Sequence, residues 1–184
     1  MRILHAVRSD GFAGVERHIA RLARAQAAAG HRVIVIGGDP AAMRRSLGNG
    51  AVSHRPSRTV TDVARELARY GPGADIAHVH MTAAEIAAVM TIGVPPVVAT
   101  RHFAAVRGRG GSGTLIRSLV RGRIDAQIAV SAHVAQYIDG PSVVVHPGTD
   151  NISTDGADRG DVVLMVQRLE KEKHADLGLR AFAA

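Results

Sequence analysis

Cysteine and tryptophan are absent from the 184 residues, aromatic side chains make up only 3%, and lysine occurs only at positions 171 and 173. Without cysteine there is no disulfide framework, no thiolate metal site and no cysteine nucleophile. So few aromatics leave no platform on which bases could stack, so nucleic acid is not an expected partner despite a net charge of +7. The apolar stretches are strand-sized and broken by charge, and residues 1–10 hold no apolar leader core. Neither a membrane span nor secretion is therefore expected, and a cytoplasmic setting is.

What is present is 46% apolar residues, enough for one sizeable core or one core plus the start of another. The charge is uneven. Residues 1–149 carry 18 arginines and 9 acids, whereas residues 150–184 carry 5 basic and 7 acidic residues. Between Arg101 and Arg123 there are six arginines and no acid. Such a run predicts a local positive field suited to phosphate or anionic lipid headgroups.

Strand and helix signals alternate along the chain. An apolar run at Arg2 to Val7 leads through Gly11-Phe-Ala-Gly14 into Val15, Ile19 and Leu22 at helical spacing. Val33-Ile-Val-Ile36 is the unbroken β-branched run of a parallel strand covered on both faces. The pattern then predicts a weak strand at 51–54, a helix at 61–70, a strand at 75–80, a helix at 82–92 and a strand at 96–102. A helix at 114–122, a strand at 126–131, a short helix to 138 and a strand at 142–146 follow. Repeated βα units of this size predict a doubly wound parallel sheet of the Rossmann-like α/β class. The linker-like segment 151–160, with two Gly, two Asp and one each of Ser, Thr and Asn, is expected to separate a first domain at 1–150 from the start of a second at 161–184. That second part begins with a predicted buried strand at 161–167 and stops within a helix at Ala184.

In an open parallel sheet ligands bind beyond the carboxyl ends of the strands, so four features there carry candidate chemistry. The Gly11 to Gly14 loop could bring backbone N–H groups to a phosphate at a helix start, or could be a tight βα turn; it lacks the GxGxxG spacing of dinucleotide sites. His102 ends the Val97–His102 strand, where an imidazole could donate to a substrate hydroxyl or a developing charge. Arg168 and Lys173 follow the 161–167 strand, where two cations could grip a diphosphate; cations oppose a helix N-terminal dipole, so helix stability does not explain them. The helix at 114–123 carries Leu115, Ile116, Leu119 and Val120 on one stripe and Arg117 and Arg121 on another, with Arg107 and Arg109 preceding it. It could lie against an anionic surface, or its leucines could pack on the sheet. His78 and His80 share one face of a strand, but no third ligand is spaced to complete a metal site, and the pair reads as structural.

Taken together, Gly11-Phe-Ala-Gly-Val-Glu-Arg-His18, Asp75-Ile-Ala-His-Val-His80, Val97-Val-Ala-Thr-Arg-His102, Ala129-Val-Ser131, Val145-His-Pro-Gly-Thr-Asp150 and Arg168-Leu-Glu-Lys-Glu-Lys173 resemble glycosyltransferase family 4, of the GT-B fold. The resemblance implies two Rossmann-like domains with a cleft between them, this chain supplying the first. It implies a retaining hexosyl transfer from a nucleotide-diphosphate sugar to a glycan or lipid-linked acceptor, with the first domain mainly holding the acceptor. By position, Gly11, Ala13 and Gly14 would approach the donor diphosphate and His102 would contact the transferred sugar. Arg168 and Lys173 would neutralise the departing diphosphate. Arg107, Arg109, Arg117 and Arg121 would face the acceptor or an anionic membrane. No metal or other cofactor is expected, since the cationic pair supplies the charge and no Asp-x-Asp motif occurs. Phe12 and Ala13 stand where the family often shows consecutive glycines. The family's Glu-x7-Glu motif, placed in the second domain, does not occur in this sequence, so the chain alone is expected to be inactive. A non-catalytic anionic lipid or glycan binding module and a GT-B type sugar-nucleotide epimerase are the alternatives. The lack of GxGxxG and of a Tyr-x-x-x-Lys pair disfavours an oxidoreductase.

Overall fold

The computed structural model describes residues 1–48, 50–107, 113–149, 160–167, 171 and 174–183. The chain divides into two compact units, Met1–Gly148 and Thr149–Ala184.

In the first unit seven parallel strands form one sheet in the order β3-β2-β1-β4-β5-β6-β7. They are β1 (Arg2–Val7), β2 (Arg32–Ile36), β3 (Val52–Arg55), β4 (Ile76–His80), β5 (Val97–Arg101), β6 (Ala126–Ala129) and β7 (Val143–Val144). Helices α1 (Gly14–Ala28), α2 (Pro40–Leu47), α3 (Val60–Tyr70), α4 (Met81–Val89), α5 (Gly113–Arg123) and α6 (Ala132–Ala135) connect them. This is the doubly wound α/β architecture that the alternating pattern implies. Helix α2 lies where the hydrophobic pattern gave no helix; Asp39 accepts from the Ala42 N–H at 2.7 Å and Pro40 occupies the first turn. A side-chain cap and a proline preset to helical φ start a helix that eight residues of weak periodicity do not reveal.

Alternation along the strands sends side chains to two cores. Ile3, Val7, Val33 and Val35 pack with Ile19, Ala20 and Ala23 of α1 and Met43 and Leu47 of α2. Leu4, Ala6, Ala77, Val79, Val97 and Ala99 face the other way, against Val63 and Leu67 of α3 and Ala84, Ala87 and Ala88 of α4. The small alanines of α4 let that helix lie close to the sheet. Helix α3 is started by a reciprocal cap, Thr59 Oγ1 accepting from the Asp62 N–H at 3.1 Å and the Asp62 carboxylate from the Thr59 N–H at 3.2 Å, worth about 1 kcal/mol.

In the second unit, α7 spans Ala175–Ala183. The expected buried strand at 161–167 does not form: Val162, Val163, Leu164 and Val166 are all exposed. A parallel strand needs neighbours for its N–H and C=O groups, and the described residues of this unit offer none. The expected linker lies outside the described residues from 151 to 159.

Candidate active site

The sheet order reverses between β1 and β4, and in such sheets the crevice beyond the strands' carboxyl ends at that point takes the ligand. Val7 and His80 pair at the ends of the two strands. Immediately after His80 the chain turns through Met81, whose φ of +70° is one of two positive values on non-glycine residues among those described. That bend leads directly into α4.

The loop after β1 is tied to the loop after β2. Gly38 N–H donates to Ser9 O and Asp39 N–H to Gly11 O, both at 2.8 Å. Gly37 makes this approach possible, with φ of +96° and so little room that a Cβ would stand 1.8 Å from Val7 O. Gly11 and Gly14 are different. Neither has positive φ, a Cβ on Gly11 would meet only Ser9 Oγ at 3.8 Å, and one on Gly14 would meet nothing within 4 Å. Neither turn geometry nor packing requires glycine at these two positions; what they leave is open space before the first turn of α1. Gly11, Ala13 and Gly14 are all exposed there. The Ala13 N–H is not free, since the buried Glu16 carboxylate accepts from it at 2.8 Å. An anion would therefore meet the amides beyond Ala13.

Histidines line the α1 side of the sheet beside this loop. His5 on β1 is in register with His78 on β4, and His80 with Thr100 on β5. The separation of two residues between His78 and His80 keeps both on one face. His5 Nδ1 lies 3.2 Å from His80 Nε2, and His80 Nδ1 lies 3.1 Å from His102 Nε2. At the far end His5 Nε2 is 2.6 Å from Gln26 Oε1 on α1. His78 stacks on His80 with ring centres 4.3 Å apart and meets Thr100 Oγ1 through Nε2 at 2.6 Å. His18 of α1 sets its ring edge-on to His102 at 5.2 Å between centres. Burial is the main cause that keeps these rings neutral. It pushes His5 and His102 down to about 4, aided for His102 by the neighbouring His18, and holds His78 and His80 well below the ordinary value of 6.5.

His5 is thus the third imidazole that sequence spacing did not supply, and one nitrogen from each of His5, His78 and His80 falls within 4.8 Å of the others. Yet both nitrogens of His5 and of His80, and Nε2 of His78, already have hydrogen-bond partners. A metal ion would have to displace them. The signal that could have exposed the cluster is His5 centred in an apolar strand, in phase with His78 and His80 once the β1–β4 pairing is known.

The arginine segment is partly internal. Arg107, expected at an acceptor or membrane surface, has a fully buried side chain. Its guanidinium donates to Glu85 at 2.7 and 2.9 Å, to Gln127 Oε1 at 2.7 Å and to Asp139. Arg101 is buried beside it, 3.7 Å from Glu85 and donating to Ala105 O at 2.6 Å. Acids from α4 and from the segment after α6 neutralise two of the six arginines, so the field is weaker than the run of sequence suggests. Arg117 is half-buried, its Nη2 donating to Arg107 O at 3.3 Å, while Arg121 is exposed. Arg109, Arg168 and Lys173 lie outside the described residues.

A seven-stranded parallel sheet with helices on both faces and a change of strand order between β1 and β4 defines a Rossmann-like α/β domain. Residues 12–151 match the family model Glycosyltransferase Family 4, and the chain belongs to that family. Two crystal structures of Anabaena Alr3699/HepE, one in complex with UDP and glucose and one with UDP, are similar in fold, each with a TM-score of 0.61, at 15% and 17% identity respectively. The match covers 82% of this chain and 45% of each HepE chain, so this chain spans less than half the length of those proteins. The comparison with curated proteins returned no match.

Proposed function

We propose that this chain is the acceptor-side portion of a retaining glycosyltransferase of the hexosyltransferase class, which moves a sugar from a nucleotide-diphosphate sugar to a glycan or lipid-linked acceptor. The observation that supports the reading most is the open space at Gly11 and Gly14 where α1 begins, with His102 just past β5 in contact with His80 and His18 of that helix. Backbone N–H groups at the start of a helix favour a diphosphate, and in this reading the His102 imidazole contacts the sugar. HepE was crystallised with UDP and glucose, the two halves of such a donor.

In the proposed reaction the bond from the anomeric carbon to the diphosphate breaks and one to the acceptor oxygen forms, on the same face of the sugar. The acceptor proton leaves with the diphosphate. Arg168 and Lys173 neutralise the charge that builds on the leaving group, which makes a metal unnecessary. The chain by itself is inactive, because no Glu-x7-Glu pair is present to hold the donor. The exposed Leu115, Leu119 and Arg121 of α5 support a further contact with anionic membrane at the acceptor side. Among the described residues no helix is long and apolar enough to cross a membrane.

The test uses the full natural polypeptide that contains this sequence, with a panel of UDP-, GDP- and ADP-sugars and glycan and lipid-linked acceptors. Transfer with retained anomeric configuration is expected, lowered by about 100-fold or more in His102→Ala, Arg168→Ala and Lys173→Ala. Turnover of sugar nucleotide without acceptor would instead establish an epimerase. Unchanged rates in all three variants would overturn the site assignment.

A further inference from the structure

The three contacts from Gln26 to His102 form one continuous line: Gln26 Oε1 to His5 Nε2, His5 Nδ1 to His80 Nε2, His80 Nδ1 to His102 Nε2. Ring centres are 5.4 Å apart at both histidine junctions, against nitrogen separations of 3.2 and 3.1 Å. The difference is taken up by a ring radius at each end, so the imidazoles meet end-on, an N–H of one aimed at the lone pair of the next. His5 and His80 are fully buried, which removes water as a competing partner.

A neutral imidazole has one N–H and one bare nitrogen, and an amide oxygen only accepts. With Gln26 Oε1 against His5, the His5 proton sits on Nε2 and its Nδ1 is bare. His80 must then donate from Nε2, and His102 from its own Nε2. His102 is left with a bare Nδ1. Turning the Gln26 amide over places its NH2 against His5 and reverses every proton in turn. Any other arrangement puts two protons, or none, between one pair of nitrogens. The line therefore has two self-consistent neutral states, and they differ in what His102 offers at Nδ1, the nitrogen left outside the line.

We infer that Gln26, His5 and His80 are positioning residues that set the tautomer of His102, so that it meets a ligand hydroxyl as an acceptor through Nδ1. This rests on the proposed role of His102 at the sugar, and it refines the sequence expectation, in which that histidine donates. Burial supports it by keeping the rings uncharged, since a proton added at His5 or His80 would be a charge out of water. Gln26 lines a groove of about 400 Å³ on the α1 side of the sheet together with Leu22, His78 and Val98. That room allows the side chain at position 26 to be changed.

The experiment is nitrogen NMR on histidine-labelled protein at pH 7. In the wild type, His5, His80 and His102 should each show a protonated Nε2 and an unprotonated Nδ1, with nitrogen–nitrogen coupling across both histidine junctions. Gln26→Glu, which can only accept, should leave this pattern intact. Gln26→Lys, which can only donate, should invert all three. A His102 tautomer indifferent to Gln26→Lys overturns the inference. If that variant fails to fold, the wild-type spectrum still decides, because absent couplings or charged rings refute the line. None of these readouts needs transfer activity. An unchanged rate in His102→Ala would sink the sugar assignment while leaving the tautomer result standing.

Discussion

His80 and His102 are 22 residues apart in sequence, yet Nδ1 of the first and Nε2 of the second lie 3.1 Å apart. Neighbouring strands β4 and β5 end together at this point, and the contact joins the buried face of the sheet to the crevice beyond it. The behaviour of the domain toward acid follows from this placement.

His5 has its value lowered from 6.5 to about 4 by burial, so the folded state binds fewer protons than the unfolded chain between those limits. Stability is then complete above about pH 6.5 and is lost as the pH falls toward about 4, by about 3 kcal/mol for His5 alone. His80 and His102 shift the same way and steepen the loss. Thermal melts followed by circular dichroism from pH 7.5 to 4.5 should show Tm falling throughout the lower half of the range. A flat profile would contradict neutral burial.

Arg107→Ala should destabilise the fold by about 3–5 kcal/mol, because it leaves Glu85 buried with its strongest partner gone. Arg121→Ala, on the exposed face of α5, should stay within about 0.5 kcal/mol of wild type. Urea denaturation of the two variants measures the contrast; equal losses would mean that Arg107 is not held as described.

Gly37→Ala should cost more than about 1 kcal/mol, since its Cβ collides with Val7 O and its φ of +96° disfavours any side chain. Gly14→Ala should leave stability unchanged or slightly raised, because its Cβ meets nothing. The same denaturation series checks both. A large loss at Gly14 would make that glycine structural and remove it from the donor site.

If α5 docks on membrane, the protein should co-sediment with phosphatidylglycerol vesicles at low salt and be released as salt rises. Arg121→Glu should weaken binding several-fold, and Leu115→Ser with Leu119→Ser should abolish it. Absence of co-sedimentation at low salt would remove the membrane contact.

Adding one equivalent of zinc should leave Tm unchanged, since the nitrogens of His5 and His80 are already paired with one another and with Gln26 and His102. A metal held by His5, His78 and His80 would instead raise Tm with concentration.

Most strands and helices of the first unit were legible because their signals are local. The β-branched run Val33 to Ile36 reads as a covered parallel strand, and Val15, Ile19 and Leu22 at helical spacing read as a helix face, whatever surrounds them. The order of motifs carried the family as well. The strand expected at 161–167 shows the limit of that reasoning: an apolar run states what a segment would do beside partner strands, and pairing is not a property of the run.

By itself, then, the sequence determined the alternation of elements and the sheet class, since these follow from hydrophobic period and turn chemistry. Only the tertiary structure decided that Arg107 is an internal ion-pair partner rather than a surface charge, because Glu85 and Asp139 reach it from segments 22 and 32 residues away. It also decided that five scattered histidines, four from the sheet side and His18 from α1, gather in one place and that three of them join end-on. Strand register sets such convergence: His5 meets His78 and His80 only because β1 pairs with β4 across 75 residues of chain.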